Sequence, residues 1–351
     1  MGDLSRLGGT ERVTTVIASE LVRRSYDVSI LSLVNGRTSF FPLHPGVRLQ
    51  SLQMENHSAN LSDFLIWWRL HRFVKRESID YVIDVDVILS LYSVPACMGT
   101  RAKVVSWEHF HFFINLGDPF QRFRRGVARK IAARYAKNII TLSEKDRLQY
   151  LANLSCKTGV LAINNPNTIA HAQRAGLDAK VVLAAGRLAH QKGFDLLLQS
   201  WAMVADRAPD WSLRIVGSGS DESMLKALAR HLKIDQSVEF VPKTDNIKTH
   251  FLAASIYALS SRFEGFGLVL LEAKSFGLPI VSFDCDCGPS DIVRNGKDGL
   301  LVKNGDVEGF AQALLTLIND VPMRIKFGDM SYQDHRFDLG RIVDVWERVL
   351  A

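Results

Sequence analysis

The sequence predicts two consecutive α/β domains, each a parallel sheet wound on both faces by helices. Three observations predict it. Short apolar runs alternate with helical segments along the whole chain, the pattern of parallel sheets covered on both faces. The length, 351 residues, suits two domains. An Asn-Asn-Pro-Asn run at 164–167 breaks the alternation and reads as the linker. The expected domains are therefore 1–167 and 168–335, with a closing helical segment at 336–351.

In the first half a helix over Thr10–Arg23 follows Gly8-Gly9, and apolar runs mark strands at Val28–Leu33, Val47–Leu52, Tyr81–Asp84, Lys103–Ser106, Ile139–Leu142 and Gly159–Ile163. Two further segments, Trp67–Arg76 and Phe120–Arg125, mix cations with aromatics. They read either as interfacial helices or as ordinary amphipathic helices covering a sheet. The second half offers strands at Val181–Ala185, Ser212–Val216, Val238–Val241, Ser255–Ala258, Ile280–Phe283 and Gly299–Val302. Between the last three lies a glycine turn with Gly265 and Gly267, then helical periodicity over Leu268–Phe276 with Gly277 and Pro279 as stop signals. Leu339–Leu350 is helical by pattern, and Ile342, Val343, Trp346 and Val349 form one stripe that must bury a face. Two doubly wound halves with a hinge imply a cleft at the carboxyl ends of their strands.

The chemistry concentrates in Ser261-Arg-Phe-Glu-Gly-Phe-Gly-Leu-Val-Leu-Leu-Glu272. Free backbone N–H groups and the positive end of a helix dipole meet at Gly267 and Leu268, which suits a diphosphate. Glu264 stands before the helix and Glu272 about one and a half turns into it, so both can face one cleft and accept hydrogen bonds from sugar hydroxyls. A solvated surface acid is the alternative for Glu272. Gly186-Arg187-Leu-Ala-His-Gln-Lys192-Gly193 leaves a strand and enters a helix, presenting a forked donor and a compact cation. Gly8-Gly9 lets backbone approach a ligand without a Cβ in the way; a plain turn is the alternative.

Here the chain resembles the retaining family-4 glycosyltransferases, which have the GT-B fold of two Rossmann-like doubly wound domains facing a central cleft. The paired glutamates, the Gly-Phe-Gly turn around Phe266 and the later Gly288-Pro289 carry the resemblance, which covers nearly the whole chain. It implies that Arg187 and Lys192 hold the donor's diphosphate, Glu272 the ribose and Glu264 the transferring sugar, with Gly9, Phe266, Gly267 and Leu268 bordering the donor. It implies that His109, after the strand Val104–Ser106, lines the sugar-binding centre; His111 is the second match, with a packed histidine as its alternative. The closing helix would pack back on the first domain, which would bind the acceptor. Asp291 stands where the family commonly has Glu. The family also begins with an apolar strand running into the glycine loop, whereas this chain opens at Leu7-Gly-Gly-Thr-Glu-Arg-Val. That strand is expected to be missing, through a late start or a rearranged sheet, and residues restored upstream would raise the melting temperature. The implied activity moves a sugar from a nucleotide diphosphate sugar, UDP-linked, to a glycan or lipid-linked acceptor in cell-surface polysaccharide or lipopolysaccharide biosynthesis. A sugar-nucleotide epimerase or phosphorylase, and a non-catalytic sugar-nucleotide-binding protein, are the alternatives.

Asp84-Val-Asp86 and Asp284-Cys-Asp286 could hold a divalent metal. With arginine, lysine and a helix N-terminus already assigned to the diphosphate, no metal and no cofactor is expected. Four scattered cysteines, Cys97, Cys156, Cys285 and Cys287, argue against a disulfide framework and complete no zinc site. Residues 1–167 carry net charge +8 and the remainder −2. The basic half is thus expected to meet an anionic partner, a membrane surface or a pyrophosphate-bearing acceptor. Nucleic acid is not expected, because no base-stacking platform accompanies the charge. No stretch approaches twenty apolar residues and the N-terminus lacks a signal core, so a cytoplasmic location, peripheral on the inner face of the membrane, is the expectation.

Overall fold

The computed structural model describes residues 4–5, 8–33, 38–52, 59–113, 118–169 and 173–351. It divides into two compact units, Met1–Thr168 with Phe337–Ala351, and Ile169–Arg336. In chain order the first contains α1 (Gly9–Arg23), β1 (Ser29–Ser32), β2 (Arg48–Ser51), α2 (Ala59–Arg76), β3 (Tyr81–Val85), α3 (Ser90–Cys97), β4 (Lys103–Trp107), α4 (Pro119–Tyr135), β5 (Asn138–Thr141), α5 (Glu144–Asn153) and β6 (Gly159–Ala162). The second contains β7 (Val181–Ala185), α6 (Phe194–Ala205), β8 (Ser212–Val216), α7 (Glu222–His231), β9 (Val238–Val241), α8 (Ile247–Leu252), β10 (Ile256–Leu259), α9 (Leu268–Ser275), β11 (Ile280–Asp284), α10 (Pro289–Ile292), β12 (Gly299–Lys303), α11 (Val307–Asn319) and α12 (Val321–Tyr332). The closing helix α13 (Leu339–Leu350) belongs to the first unit. Each of the twelve expected strands is present, with its ends displaced by at most one residue.

The second unit is one parallel sheet in the order β12-β11-β10-β7-β8-β9. Its central strands are apolar at almost every position because helices cover both faces: β10 is buried throughout, and Val182 to Ala185 of β7 are buried. On one face, Phe194, Leu197 and Trp201 of α6 and Phe310 and Leu314 of α11 pack over Val182, Leu213 and Ile256. Each such side chain contributes about 1.5–3 kcal/mol through removal from water. The chain runs outward from β7 through β8 to β9, then returns to β10 on the other side. The switch in strand order therefore falls between β7 and β10.

The first unit holds two parallel sheets, β1-β2 and β3-β4-β5-β6. Among the described residues no strand stands between β1 and β3. Helix α13 packs on α1, and its stripe Ile342, Val343, Trp346 and Val349 is buried. Arg24 at the end of α1 donates to Asp344 at 2.5 Å, Glu347 at 2.6 Å and the Gly340 carbonyl at 2.9 Å. Trp346 meets Trp107 of β4 edge-on at 4.9 Å.

Candidate active site

The loops that leave β7 and β10 meet at the switch point of the second unit. After β7 the chain passes through Gly186, exposed Arg187 and buried Leu188 to a single tight turn at His190–Lys192. Gly193 then adopts φ 60°, and a Cβ built there would lie 2.1 Å from the Ser260 carbonyl oxygen. Only glycine lets the two loops come this close. They are stitched by Arg262 N–H to the Gln191 carbonyl (2.8 Å), the Ser260 hydroxyl to the Lys192 carbonyl (2.9 Å) and Gln191 Nε2 to the Phe263 carbonyl (3.1 Å). Arg262 forks onto Asp195 at 2.7 and 2.6 Å.

Lys192 and Glu264 are thereby brought together. Lys192 Nζ donates to Glu264 Oε1 at 2.6 Å, and the Ser261 hydroxyl donates to the same oxygen at 2.6 Å. Glu264 is 6% exposed, so this carboxylate is fixed by two donors and shielded from bulk water. Gly267, at φ 91°, opens α9 without a side-chain cap. The first N–H groups of that helix thus have no capping side chain, and its positive end lies at the Phe266–Leu268 turn. Glu272 is half-buried on α9. The far end of α9 closes with Leu278 N–H on the Ala273 carbonyl and Gly277 N–H on that of Lys274, with Gly277 at φ 72°. This is a Schellman stop, which fixes the helix length and so the depth of Glu272.

Beneath this surface the buried Tyr257 hydroxyl lies 3.3 Å from the Ala185 backbone. Burial raises its pKa well above the usual range, with the charges of Glu272 and Glu264 adding to the rise. The Cys285 thiol is pushed up to about 12 by burial, then by Glu264, Asp286 and Asp284, and stays protonated at neutral pH.

Gly9 and His109 belong to the first unit. Gly9 is the first residue of α1 and Gly8 its extended N-cap, so the helix begins one residue earlier than the sequence suggested. His109 follows β4, is 6% exposed, and packs on Trp107 with ring centres 4.2 Å apart. Its Nε2 is buried without a hydrogen-bond partner in the protein. Burial lowers its pKa from 6.5 to about 4, against the charge of Asp86, so the ring is neutral at pH 7. His111 is also buried; its Nδ1 accepts from the Phe113 N–H at 3.3 Å and its Nε2 lies 4.0 Å from Asp146. Protein groups thus engage both of its ring nitrogens, which fits the packed alternative.

Sequence reasoning missed two features. One is the loop after β8: a Cβ on Gly217 would lie 1.9 Å from the Gly186 carbonyl, so this loop walls the β7 loop from the other side. The signal was Gly217-Ser-Gly219 directly after a strand. The other is a buried charge network behind His109. Glu108 takes Arg125 (3.1 Å), Arg129 (3.2 Å) and Tyr150 (2.7 Å), and Arg125 forks onto Asp86 at 2.8 Å. Arg125 is consequently an interior residue, whereas the interfacial reading of Phe120–Arg125 placed it on the surface; Phe120 and Phe123 are the exposed members. The first acidic triplet is likewise divided. Asp84 accepts from Ser90 and Ser93 at 2.7 and 2.6 Å, while Asp86 is held by Arg125.

A doubly wound parallel sheet with a lysine–carboxylate pair and an uncapped helix start at its switch point gives the second unit the architecture of α/β proteins that bind ligands at that point. Residues 7–166 match the family described as Glycosyltransferase Family 4, and residues 167–334 match Glycosyl transferases group 1. An uncharacterized glycosyltransferase of Haemophilus influenzae is 33% identical over 350 residues, spanning 99% of this chain and 98% of the relative. The amylovoran biosynthesis glycosyltransferase AmsD of Erwinia amylovora is 27% identical over 345 residues, spanning 94% and 92%. HepE of Anabaena, solved in complex with UDP and glucose, superposes with a TM-score of 0.77 at 19% identity, covering 99% of this chain and 96% of that one. The chain belongs to the GT-B glycosyltransferases, and it is a glycosyltransferase.

Proposed function

We propose that this glycosyltransferase is a retaining enzyme that moves a sugar from a UDP-sugar onto a glycan or lipid-linked acceptor in cell-surface polysaccharide or lipopolysaccharide biosynthesis. The observation that carries the reading is the Glu264 carboxylate, fixed by Lys192 and Ser261 at the switch point beside the uncapped start of α9. Glu264 would accept a hydroxyl of the transferring sugar and Glu272 the ribose hydroxyls. Arg187, Lys192 and the N–H groups at Gly267 and Leu268 would take the diphosphate, whose charge grows as the glycosyl bond breaks. The departing phosphate oxygen can receive the acceptor's proton on the face where the new bond forms, so no protein nucleophile is required and configuration is kept. This separates the site from the two-carboxylate hydrolases. His109, neutral at pH 7 with a buried ring nitrogen to spare, is the first unit's candidate for hydrogen-bonding the reacting sugar.

Relatives support the donor and the pathway class: HepE is solved with UDP and glucose, and AmsD acts in amylovoran biosynthesis. Cations at the diphosphate make a metal unnecessary, so activity should withstand EDTA. Among the described residues no helix is long and apolar enough to cross a membrane. Phe64, Trp68, Phe120 and Phe123 are nonetheless exposed on α2 and α4, with Arg72 over Trp68 at 4.7 Å and Arg124 over Phe120 at 5.8 Å. Such aromatic–cation faces suit peripheral attachment to the anionic inner leaflet. The deciding experiment is release of free UDP from a panel of UDP-sugars with and without extracted glycan or lipid-linked acceptors, followed by NMR of the new anomeric linkage. Acceptor-dependent UDP release with retained configuration is expected. Inverted configuration, or no release with any donor, would sink the proposal.

A further inference from the structure

Two buried arginines, Arg125 and Arg129, lie one turn apart on one face of α4, and both reach the loop that follows β4. Arg129 donates to the Glu108 carboxylate at 3.2 Å and to the Phe112 carbonyl at 2.5 Å, and its guanidinium lies 4.8 Å from the centre of the Phe112 ring. Arg125 donates to Glu108 at 3.1 Å and lies 4.9 Å from the centre of the Phe110 ring. The Glu108 carboxylate in turn accepts the Phe110 N–H at 3.1 Å, and Asp146 of α5 accepts that of Phe112 at 2.8 Å. Arg125 therefore holds both chain neighbours of His109, one by its carboxylate and the other by its ring.

The other end of Arg125 forks onto Asp86, just past β3, at 2.8 Å to each oxygen. Asp86 has φ 113°, a backbone region that residues other than glycine rarely adopt. Its N–H donates to the Trp107 carbonyl at 3.0 Å, and its Oδ1 accepts the Ile88 N–H at 3.1 Å. Arg125 thus ties the end of β3 to the loop after β4. Stability is a weak reason for this arrangement. A buried ion pair is often no better than apolar packing of the same volume, and the Asp86 backbone itself costs free energy. Holding one loop in a single conformation is the reason that the contacts fit.

We propose that Arg125 is a positioning residue for sugar transfer: by bridging Asp86 and Glu108 it fixes the backbone on either side of His109, and so the place where the imidazole meets the reacting sugar. The inference rests on the sugar-contacting role given to His109 above. What it requires is a fork. One terminal nitrogen of Arg125 serves an oxygen of each carboxylate, and the other serves the second oxygen of Asp86. A lysine at this position keeps the charge but not that planar geometry.

The test uses Arg125→Lys, His109→Gln and the double variant, with two readouts. The first is the His109 ring resonances in histidine-labelled protein, assigned by their loss in His109→Gln; they need no substrate. The second is kcat for acceptor-dependent UDP release, with the Kd for UDP beside it. Arg125→Lys should move or broaden the His109 resonances and lower kcat by about a hundredfold, as misplacing a reacting group does, while the Kd changes less than threefold. In the His109→Gln background the same substitution should change kcat less than threefold, because a residue acting through another has nothing left to act through. If Arg125→Lys fails to fold, Asp86→Asn releases the other end of the bridge and is read in the same way. His109 resonances left in place in a folded variant, or losses that add in the double variant, overturn the proposal. Unchanged kcat in His109→Gln alone would instead remove the sugar-contacting role of His109, and the ring resonances would still decide whether Arg125 sets the loop.

Discussion

Glu264 shows how much one residue's role depends on partners distant in sequence. Its identity and its place before a helix were readable, but its charge is fixed by Lys192, 72 residues earlier. Glu264→Gln keeps the shape and removes the charge, so kcat for UDP release should fall by about a hundredfold while the Kd for UDP changes less than threefold. Equal losses in both would mean that the residue only binds nucleotide. His109 has a different signature. The unfolded chain takes up a proton near pH 6.5, whereas the folded ring resists until about pH 4. Between those values the unfolded state binds more protons, so stability falls as pH falls, by up to about 3 kcal/mol across the window. Asp84, raised by burial to about 7, works in the opposite sense, holding its proton in the fold and costing stability as pH rises from about 4 to 7. The comparison must therefore be variant against parent. Urea unfolding at pH 7 and pH 5 should show the acid loss reduced in His109→Gln; an unchanged loss would place the ring in a more polar setting than its burial implies.

At the scale of elements, the twelve strands were legible because each is a short apolar run flanked by polar or glycine residues, and the stop of α9 because Gly277 and Pro279 bracket it. Loop apposition was not legible. Gly193 looked like an ordinary helix-entry glycine, yet it is the point where the β7 loop meets the Ser260 carbonyl. Gly193→Ala forces a Cβ into that contact at a positive φ, which should cost about 1–3 kcal/mol and pull Lys192 away from Glu264. Thermal unfolding should show the loss, and UDP release should weaken with it. Normal stability and turnover in this variant would show that the loops have room to separate. Arg125 teaches the converse: a cation in a basic, aromatic helix turned inward because Asp86 and Glu108 wait beneath it.

For the whole molecule, ligand and surface binding are the accessible tests. A nucleotide at about 100 times its Kd adds roughly 2.7 kcal/mol to stability. Millimolar UDP should therefore raise Tm by several degrees and GDP should not; a larger shift with GDP would redirect the donor search. The chain should also pellet with anionic vesicles at low salt and be released at high salt, and Phe123→Ser with Phe120→Ser should lower the bound fraction severalfold. No bound fraction for the parent would remove the membrane attachment and leave the transferase intact.

Strand positions, two nucleotide-fold units, the glycine-to-helix turns and the paired glutamates were written in local pattern, because propensity, periodicity and glycine chemistry act over a few neighbouring residues. Tertiary structure alone decided the rest: that Lys192 and Ser261 grip one oxygen of Glu264, that Arg125 turns inward, that His109 loses its charge to burial, and that the first unit's sheet parts around a cavity. Each of these depends on which groups share a low-dielectric interior and which strand edges meet. Such juxtapositions form between residues far apart in the chain, where no local pattern reports them.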